Sequence, residues 1–172
     1  MTRAISIATE AGEFIAHFSE RGLVALDFPG RRDRPQPVYP PDAAVSPEFR
    51  RWELLTANAL RAALAGGPTR TLPPFDWRGA TEFQRNVWKA LLRIPSGRTS
   101  TYAELAADAG HPRAVRAAGS ACGANPIPVL VPCHRVVASG GRLGGFSGGL
   151  DWKRRLLARE GVSLEQLREI QS

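Results

Sequence analysis

Two residue types that do nucleophilic chemistry meet once in this chain. The string Val131-Pro132-Cys133-His134-Arg135-Val136-Val137 sets one of two cysteines beside one of three histidines, directly after the apolar run Ile127-Pro128-Val129-Leu130. A free cysteine with a pKa of about 8.5 is only a few per cent thiolate at neutral pH, so a thiol nucleophile needs a base, a positive field or both. His134 and Arg135 can supply them. Read as an extended segment, the string points neighbouring side chains to opposite faces, which predicts a bridging water between Cys133 and His134 rather than direct contact. Taken alone, the pair also fits a buried thiol beside a satisfied histidine.

The elements that must position this string can be read in order. Ile5 to Phe28 alternates apolar and polar residues around Gly12 and Glu20-Arg21-Gly22, which predicts a small antiparallel sheet with His17 as a structural residue. Pro29 to Pro47 is a loop with six prolines. Ser46-Pro47 opens a helix whose Phe49, Trp52, Leu55, Leu60 and Leu64 form a core stripe, ended by Gly66-Gly67. The stretch 66–79, with Pro68, Pro73 and Pro74, predicts an interdomain linker. Thr81 and Gln84 form a capping box for a helix with Phe83, Val87, Trp88, Leu91 and Leu92 on one face. A short helix begins at Thr101-Tyr102 and closes at Gly110, and a second runs from Arg113 to about Cys122, which together predict a helix-turn-helix.

That second helix is lined by Ala114, Ala117, Ala118, Gly119, Ser120 and Ala121. Such a bare face suits either tight core packing or entry into a minor groove about 6 Å wide, where the sequence code is degenerate. Three Gly-Gly pairs follow, at 140–141, 144–145 and 148–149; they lack phosphate-loop spacing and suit a loop whose backbone closely approaches a ligand. Asp151 is expected to cap a final helix with Trp152, Leu156 and Leu157 inward and Gly161 beyond its end. Glu160 falls in the last turn of that helix, where the macrodipole disfavours an anion by about 0.3–1 kcal/mol.

The 172 residues, 43% hydrophobic, can bury a real core in one large or two small domains. A net charge of +7 and a pI near 10.6 suit a polyanionic partner, most simply nucleic acid. Two cysteines make no disulfide framework, and no signal peptide, membrane-spanning run or metal-ligand spacing is present. A cytoplasmic protein, nucleoid-associated in a bacterium, without metal or cofactor is expected.

The string Pro132-Cys133-His134-Arg135 between apolar residues, with Asn125-Pro126-Ile127-Pro128 before it and Gly144-Gly145-Phe146-Ser147-Gly148-Gly149-Leu150 after it, resembles the active-site region of the O6-alkylguanine-DNA alkyltransferases. The likeness extends from about Thr81 to Gly161. It implies an α/β protein with a small ribonuclease-H-like N-terminal domain at 1–78 and a mostly α winged-helix (helix-turn-helix) alkyltransferase domain at 79–172. It implies irreversible, single-use transfer of an alkyl group from O6-alkylguanine, with O4-alkylthymine left open, in double-stranded DNA bound through the minor groove by a monomer.

The same resemblance assigns the residues. Cys133 accepts the alkyl group, a water and His134 take its proton, Glu160 orients His134, and Asn125 is a hinge before the active-site turn. Tyr102 donates to guanine N3, the Ser147 amide bonds O6, carbonyls of Cys133 and Val136 accept the exocyclic amine, and Phe146 and Gly148 complete the pocket. Phe146 departs from the tyrosine of many relatives. Arg116 is a finger that fills the stack left by an extruded base, with Thr101, Arg113, Ala117, Ser120 and Arg135 at the DNA. Some relatives carry an N-terminal zinc site, but no cysteine precedes Cys122 here. Two rival readings are a non-catalytic lesion-binding relative, which Cys133 disfavours, and a Cys-His hydrolase, for which no oxyanion hole is announced.

Overall fold

The computed structural model describes residues 3–30, 46–140 and 142–163. The greater part of the proline-rich loop and Gly141 of the first Gly-Gly pair therefore lie outside the described residues. The chain opens with three antiparallel strands, β1 (Arg3–Thr9), β2 (Gly12–Ser19) and β3 (Gly22–Asp27), in that order. Alternation works as the sequence predicts: Phe14, Ala16 and Phe18 of β2 all point into the core and are fully buried. Burying one such phenylalanine contributes about 1.5–3 kcal/mol. His17, on the other face, bonds Asp27 at 2.7 Å across the β2–β3 pair.

Helix α1 (Pro47–Leu64) starts as expected, with the Ser46 hydroxyl accepting from the Phe49 amide and Pro47 at the first position. Its buried stripe is Phe49, Thr56, Ala59, Leu60 and Ala63, so Trp52 and Leu64 are only partly covered. The stretch expected as a linker does more than connect. Leu23 of β3 donates to the Pro74 carbonyl at 2.8 Å and accepts from the Asp76 amide at 2.9 Å, so residues around Phe75 extend the sheet edge. Next along β3, Leu26 donates to the Pro126 carbonyl at 2.9 Å, which ties the sheet to the segment entering the Cys133 string. A continuous apolar core runs from Phe14 and Leu26 through Leu60, Leu91 and Leu130 to Leu156.

Helix α2 (Glu82–Leu92) has the full Thr81–Gln84 capping box and packs on α3 (Tyr102–Asp108) and α4 (Val115–Gly123), with Trp88 Nε1 donating to the Ala121 carbonyl at 2.8 Å. α3 has a second capping box, from Thr101 and Glu104. α4 begins at Val115, not Arg113: Pro112 and Arg113 are spent in the turn, and Ala114 makes no side-chain cap. Its small residues divide between two surfaces. Ala118, Ala121 and Cys122 are buried, while Ala117 and Ser120 are exposed beside Arg116.

Ser100–Thr101 (β4) and Val136–Val137 (β5) form a short parallel pair that joins the start of α3 to the Cys133 string. The last helix, α5 (Leu150–Arg159), corrects the expected cap. Gly149, at φ 87°, occupies the N-cap and makes no side-chain bond, while Asp151 lies inside the first turn and pairs with Arg154 at 3.0 Å.

The C-terminal ends of α1 and α5 meet at Gly66. It has φ +79°, and a Cβ there would overlap the Arg159 carbonyl and sit 3.2 Å from the Glu160 nitrogen. Gly110 has a similar φ of +84° but open space around it. Left-handed backbone alone costs a non-glycine residue about 1–2 kcal/mol. Gly110→Ala should therefore lose about that much stability in denaturant unfolding, and Gly66→Ala clearly more. Equal losses would show that the α1–α5 contact yields freely.

Candidate active site

The site is built on the turn between α4 and β5, and Asn125 closes it. This buried side chain donates from Nδ2 to the Val131 carbonyl at 2.8 Å and to Cys133 Sγ at 3.1 Å, while Oδ1 accepts from the Ile127 amide at 3.0 Å. Both N–H donors and one oxygen lone pair serve backbone and thiol, which is more than a turn asparagine needs. Within the loop Val129 sits at φ 73°, a conformation costly for a β-branched residue, held by the Val131 to Ile127 hydrogen bond and by full burial.

Cys133, His134 and Arg135 form one turn of 3₁₀ helix rather than an extended segment. With three residues per turn, successive side chains diverge by about 120° instead of opposing one another, so the extended conformation expected for the string is corrected. His134 directs Nε2 at Glu160 Oε1 at 2.9 Å. Arg135 grips the same carboxylate with Nε at 3.2 and 3.1 Å and Nη2 at 2.8 Å, and its Nη1 donates to the Ile94 carbonyl at 2.6 Å. The Gly97 amide adds a long contact to Oε2 at 3.4 Å. Arg135 was expected at the DNA. It is instead buried and fully engaged, so it acts as a counter-ion inside the protein.

The charge states follow from these contacts. Burial alone would raise the Glu160 pKa, but hydrogen bonds from His134 and Arg135 overcome it and hold the carboxyl at about 2. An ionised carboxylate can only accept, so Nε2 carries the imidazole proton and Nδ1 keeps its lone pair. Nδ1 is buried and has no hydrogen-bond partner among the described residues. Burial also lowers the His134 pKa against the opposing pull of Glu160, which leaves the ring neutral with an open lone pair on Nδ1. Burial pushes the Cys133 thiol up to about 11, offset in part by the Asn125 hydrogen bond and the charge of Lys153. Burial likewise pushes the Cys122 thiol up, to about 12.

In front of Cys133 lies a cleft of about 550 Å³ lined by Tyr102, Arg116, Gly119, Ser120, Phe146 and Ser147 among others. Tyr102 is half-buried between Gly119, where a Cβ would lie 3.5 Å from its ring, and Gly144, where a Cβ would lie 2.8 Å from its hydroxyl. Its pKa is raised, chiefly by burial, so it remains a protonated donor. Phe146 meets His134 edge-on at 6.4 Å and Phe28 of the N-terminal half at 5.7 Å. Gly148, expected at the ligand, faces Phe28 instead: a Cβ there would lie 2.5 Å from that ring. Val136 is fully buried and is not among the residues that line the cleft.

Arg113, Arg116, Ala117 and Ser120 share the exposed surface at the start of α4. Thr101 has its hydroxyl committed to the α3 capping box. Two residues escaped the sequence reading. Phe28 backs the pocket wall from across the chain, and only tertiary contact reveals it. Lys153 is fully buried, and its position three and four residues before Leu156 and Leu157 was the available signal. Among the described residues no group of three His, Cys, Asp or Glu could hold a metal ion.

Residues 82–162 match the family described as 6-O-methylguanine DNA methyltransferase, DNA binding domain. The methylated-DNA–protein-cysteine methyltransferase of Methanosarcina barkeri is 41% identical over 157 residues, covering 90% of this chain and 94% of that protein. The protein of the same name from Mycobacterium tuberculosis is 50% identical over 103 residues, covering 60% of this chain and 62% of its own. Among solved structures, the Mycobacterium tuberculosis OGT in complex with DNA superposes with a TM-score of 0.70 at 33% identity over 97% of this chain and 98% of that one. The O6-methylguanine-DNA methyltransferase of Pyrococcus kodakaraensis gives 0.59 at 26% identity over 94% and 100%. The mixed α/β fold is that of these proteins, and the chain belongs to the methylated-DNA–protein-cysteine methyltransferase family.

Proposed function

We propose that this protein repairs duplex DNA carrying O6-alkylguanine by moving the alkyl group onto Cys133. The observation that carries the reading is the thiol itself, held by Asn125 at 3.1 Å at the floor of a cleft, with a neutral His134 fixed by Glu160 beside it in the chain. In the reaction the Cys133 thiol gives its proton through a water to His134 Nδ1. The thiolate attacks the saturated carbon, the sulfur–carbon bond forms as the carbon–O6 bond breaks, and the purine leaves as an anion. Tyr102, a neutral phenol, donates to N3, where charge gathers, and the purine finally takes up the proton. The Ser147 amide bonds O6, and carbonyls of Cys133 and Val136 accept the exocyclic amine. A thioether is not hydrolysed, so each molecule acts once.

The DNA is held through the minor groove by α4, in a helix-turn-helix with α3. Its exposed Ala117 and Ser120 permit close approach, with Arg113 and Arg116 supplying positive charge. Arg116 fills the stack vacated by the extruded base. The N-terminal part, 1–78, is read as ribonuclease-H-like, and 79–172 as a winged-helix alkyltransferase domain. The protein works as a monomer in the cytoplasm, at the nucleoid in a bacterium; no described helix is long and apolar enough to cross a membrane.

Intact-mass measurement after mixing with a methylated duplex tests the reading. One CH₂ gained per molecule, on Cys133, is expected, and Cys133→Ser should gain none while still binding DNA. Methylation at Cys122 would overturn it. Glu160→Gln should slow transfer at least tenfold, because His134 loses the carboxylate that raises its basicity and Arg135 is left with an uncompensated buried charge. The same change should lower stability by up to about 3–5 kcal/mol in denaturant unfolding. Unchanged rate and stability would reduce Glu160 to an incidental contact.

Arg116→Ala addresses extrusion. Taking a base out of the stack costs a few kcal/mol, and each tenfold of rate corresponds to about 1.4 kcal/mol. Transfer from duplex DNA should fall by roughly one to two orders of magnitude, while transfer from the free modified base stays at the wild-type rate. Equal losses on both substrates would show that Arg116 acts on the bound base itself, from its place in the cleft wall, or on the fold, and not in extrusion.

A further inference from the structure

Lysine is almost absent from this chain. Of 23 lysine and arginine residues only Lys89 and Lys153 are lysine, and Lys153 is fully buried. Its Nζ donates to the carbonyls of Val136 at 2.6 Å and Gly145 at 3.2 Å, and also to that of Leu143. A compact ammonium has three donors for three converging acceptors, which the planar fork of an arginine could not match. The acceptors belong to two walls of the site. Val136 begins the strand that leaves the catalytic turn, and Leu143 and Gly145 belong to the loop that carries Phe146 and Ser147.

We propose that Lys153 is a positioning residue for alkyl transfer: its ammonium clamps the 143–147 loop to Val136 at the width of an extruded base, and supplies positive charge to the thiolate that forms at Cys133. The inference rests on the reading of Cys133 as alkyl acceptor. The Val136 carbonyl keeps a second lone pair for the substrate amine, so clamp and ligand can share it. A neutral amine has two N–H groups and a lone pair, which would face a carbonyl oxygen, so deprotonation breaks the clamp.

The window is accessible, because burial brings the Lys153 pKa down to about 8, against the opposing influence of Cys122 and Cys133. The other titratable groups bearing on it are Cys122 of α4 and Cys133 and His134 of the catalytic turn; Glu160 is engaged by both His134 and Arg135. Both thiols remain protonated near pH 8, and His134 is neutral there, so Lys153 is the member of this group that titrates. Since its folded-state pKa lies below the ordinary 10.5, the folded protein binds fewer protons here than the unfolded chain above pH 8. Its contribution to folding stability therefore rises with pH in this window, so the titration of Lys153 does not itself unfold the protein.

The test uses the full chain. Carbon-13 labelling of lysine gives two side-chain signals, assignable with Lys89→Arg, and the Lys153 signal should titrate near pH 8. Single-turnover transfer from a methylated duplex, followed from about pH 6.5 to about 9.5, should decline as Lys153 loses its proton. Lys153→Gln keeps one donor and loses the charge. It should transfer at least tenfold more slowly at neutral pH, lose the alkaline decline, bind duplex as wild type does, and show the same deficit with the free modified base. Titration of Lys153 at the ordinary lysine value, or a Lys153→Gln rate and profile matching wild type, would overturn the inference. If Lys153→Gln does not fold, the wild-type titration and rate profile decide alone: coincident midpoints support the clamp and separate ones overturn it. A wild type that gains no CH₂ on Cys133 would instead bring down the underlying reading of the alkyl acceptor.

Discussion

A single buried carboxylate sets the chemistry of the whole site. Glu160 stands at the C-terminal end of α5, a position unfavourable for an anion, with its side chain only 2% exposed. Arg135 is what makes this tolerable, and its presence has a second effect. A carboxylate paired only with an imidazole would draw a proton onto the ring and spend the base before any reaction. With the guanidinium carrying the compensating charge through three contacts, Glu160 is neutralised by Arg135 and still accepts the Nε2 proton of His134. The ring is thus oriented and kept neutral at once, with basicity directed to Nδ1.

That ion cluster is held by parts of the chain far apart in sequence. The Gly66 turn presses on the Arg159–Glu160 backbone, the Ser96 hydroxyl bonds the Gly66 carbonyl at 3.2 Å, and Gly97 reaches the carboxylate from the turn after α2. The N-terminal sheet contributes in the same way, through the Leu26 to Pro126 hydrogen bond and through Phe28, which supports both Phe146 and Trp152. The N-terminal half is therefore scaffold for the reactive turn, and the core runs unbroken between them.

The sequence was most legible where structure is decided locally. The Ser46 and Thr81 caps were readable because each donor and acceptor lies within three residues. The Cys133 string was readable because its chemistry sits on consecutive residues. Asp151 misled because a serviceable capping side chain was given more weight than Gly149, whose positive φ starts the helix earlier. Arg135 misled because arginine is seldom buried, and its partner lies 25 residues away. The small residues of α4 supported two readings, core packing and open surface, and the helix uses opposite faces for both. Lys153 and Phe28 acquire meaning only from tertiary neighbours.

A protonated, buried thiol looks at first like a poor nucleophile for an activity that needs a thiolate. For a protein that acts once, the resting state has another demand on it: the reagent must remain unspent until the right alkyl group arrives. Oxidants and stray electrophiles react with the thiolate fraction, and each unit by which burial raises a pKa withholds about 1.4 kcal/mol of ionisation free energy. The groups that can return that free energy are already in place. Asn125 donates to the sulfur, Lys153 brings a positive charge, and His134 offers a free basic nitrogen. In the proposed reaction the sulfur ionises as these groups act on it together, so the selectivity we infer rests on placing the alkyl carbon in line with Cys133 more than on a standing thiolate.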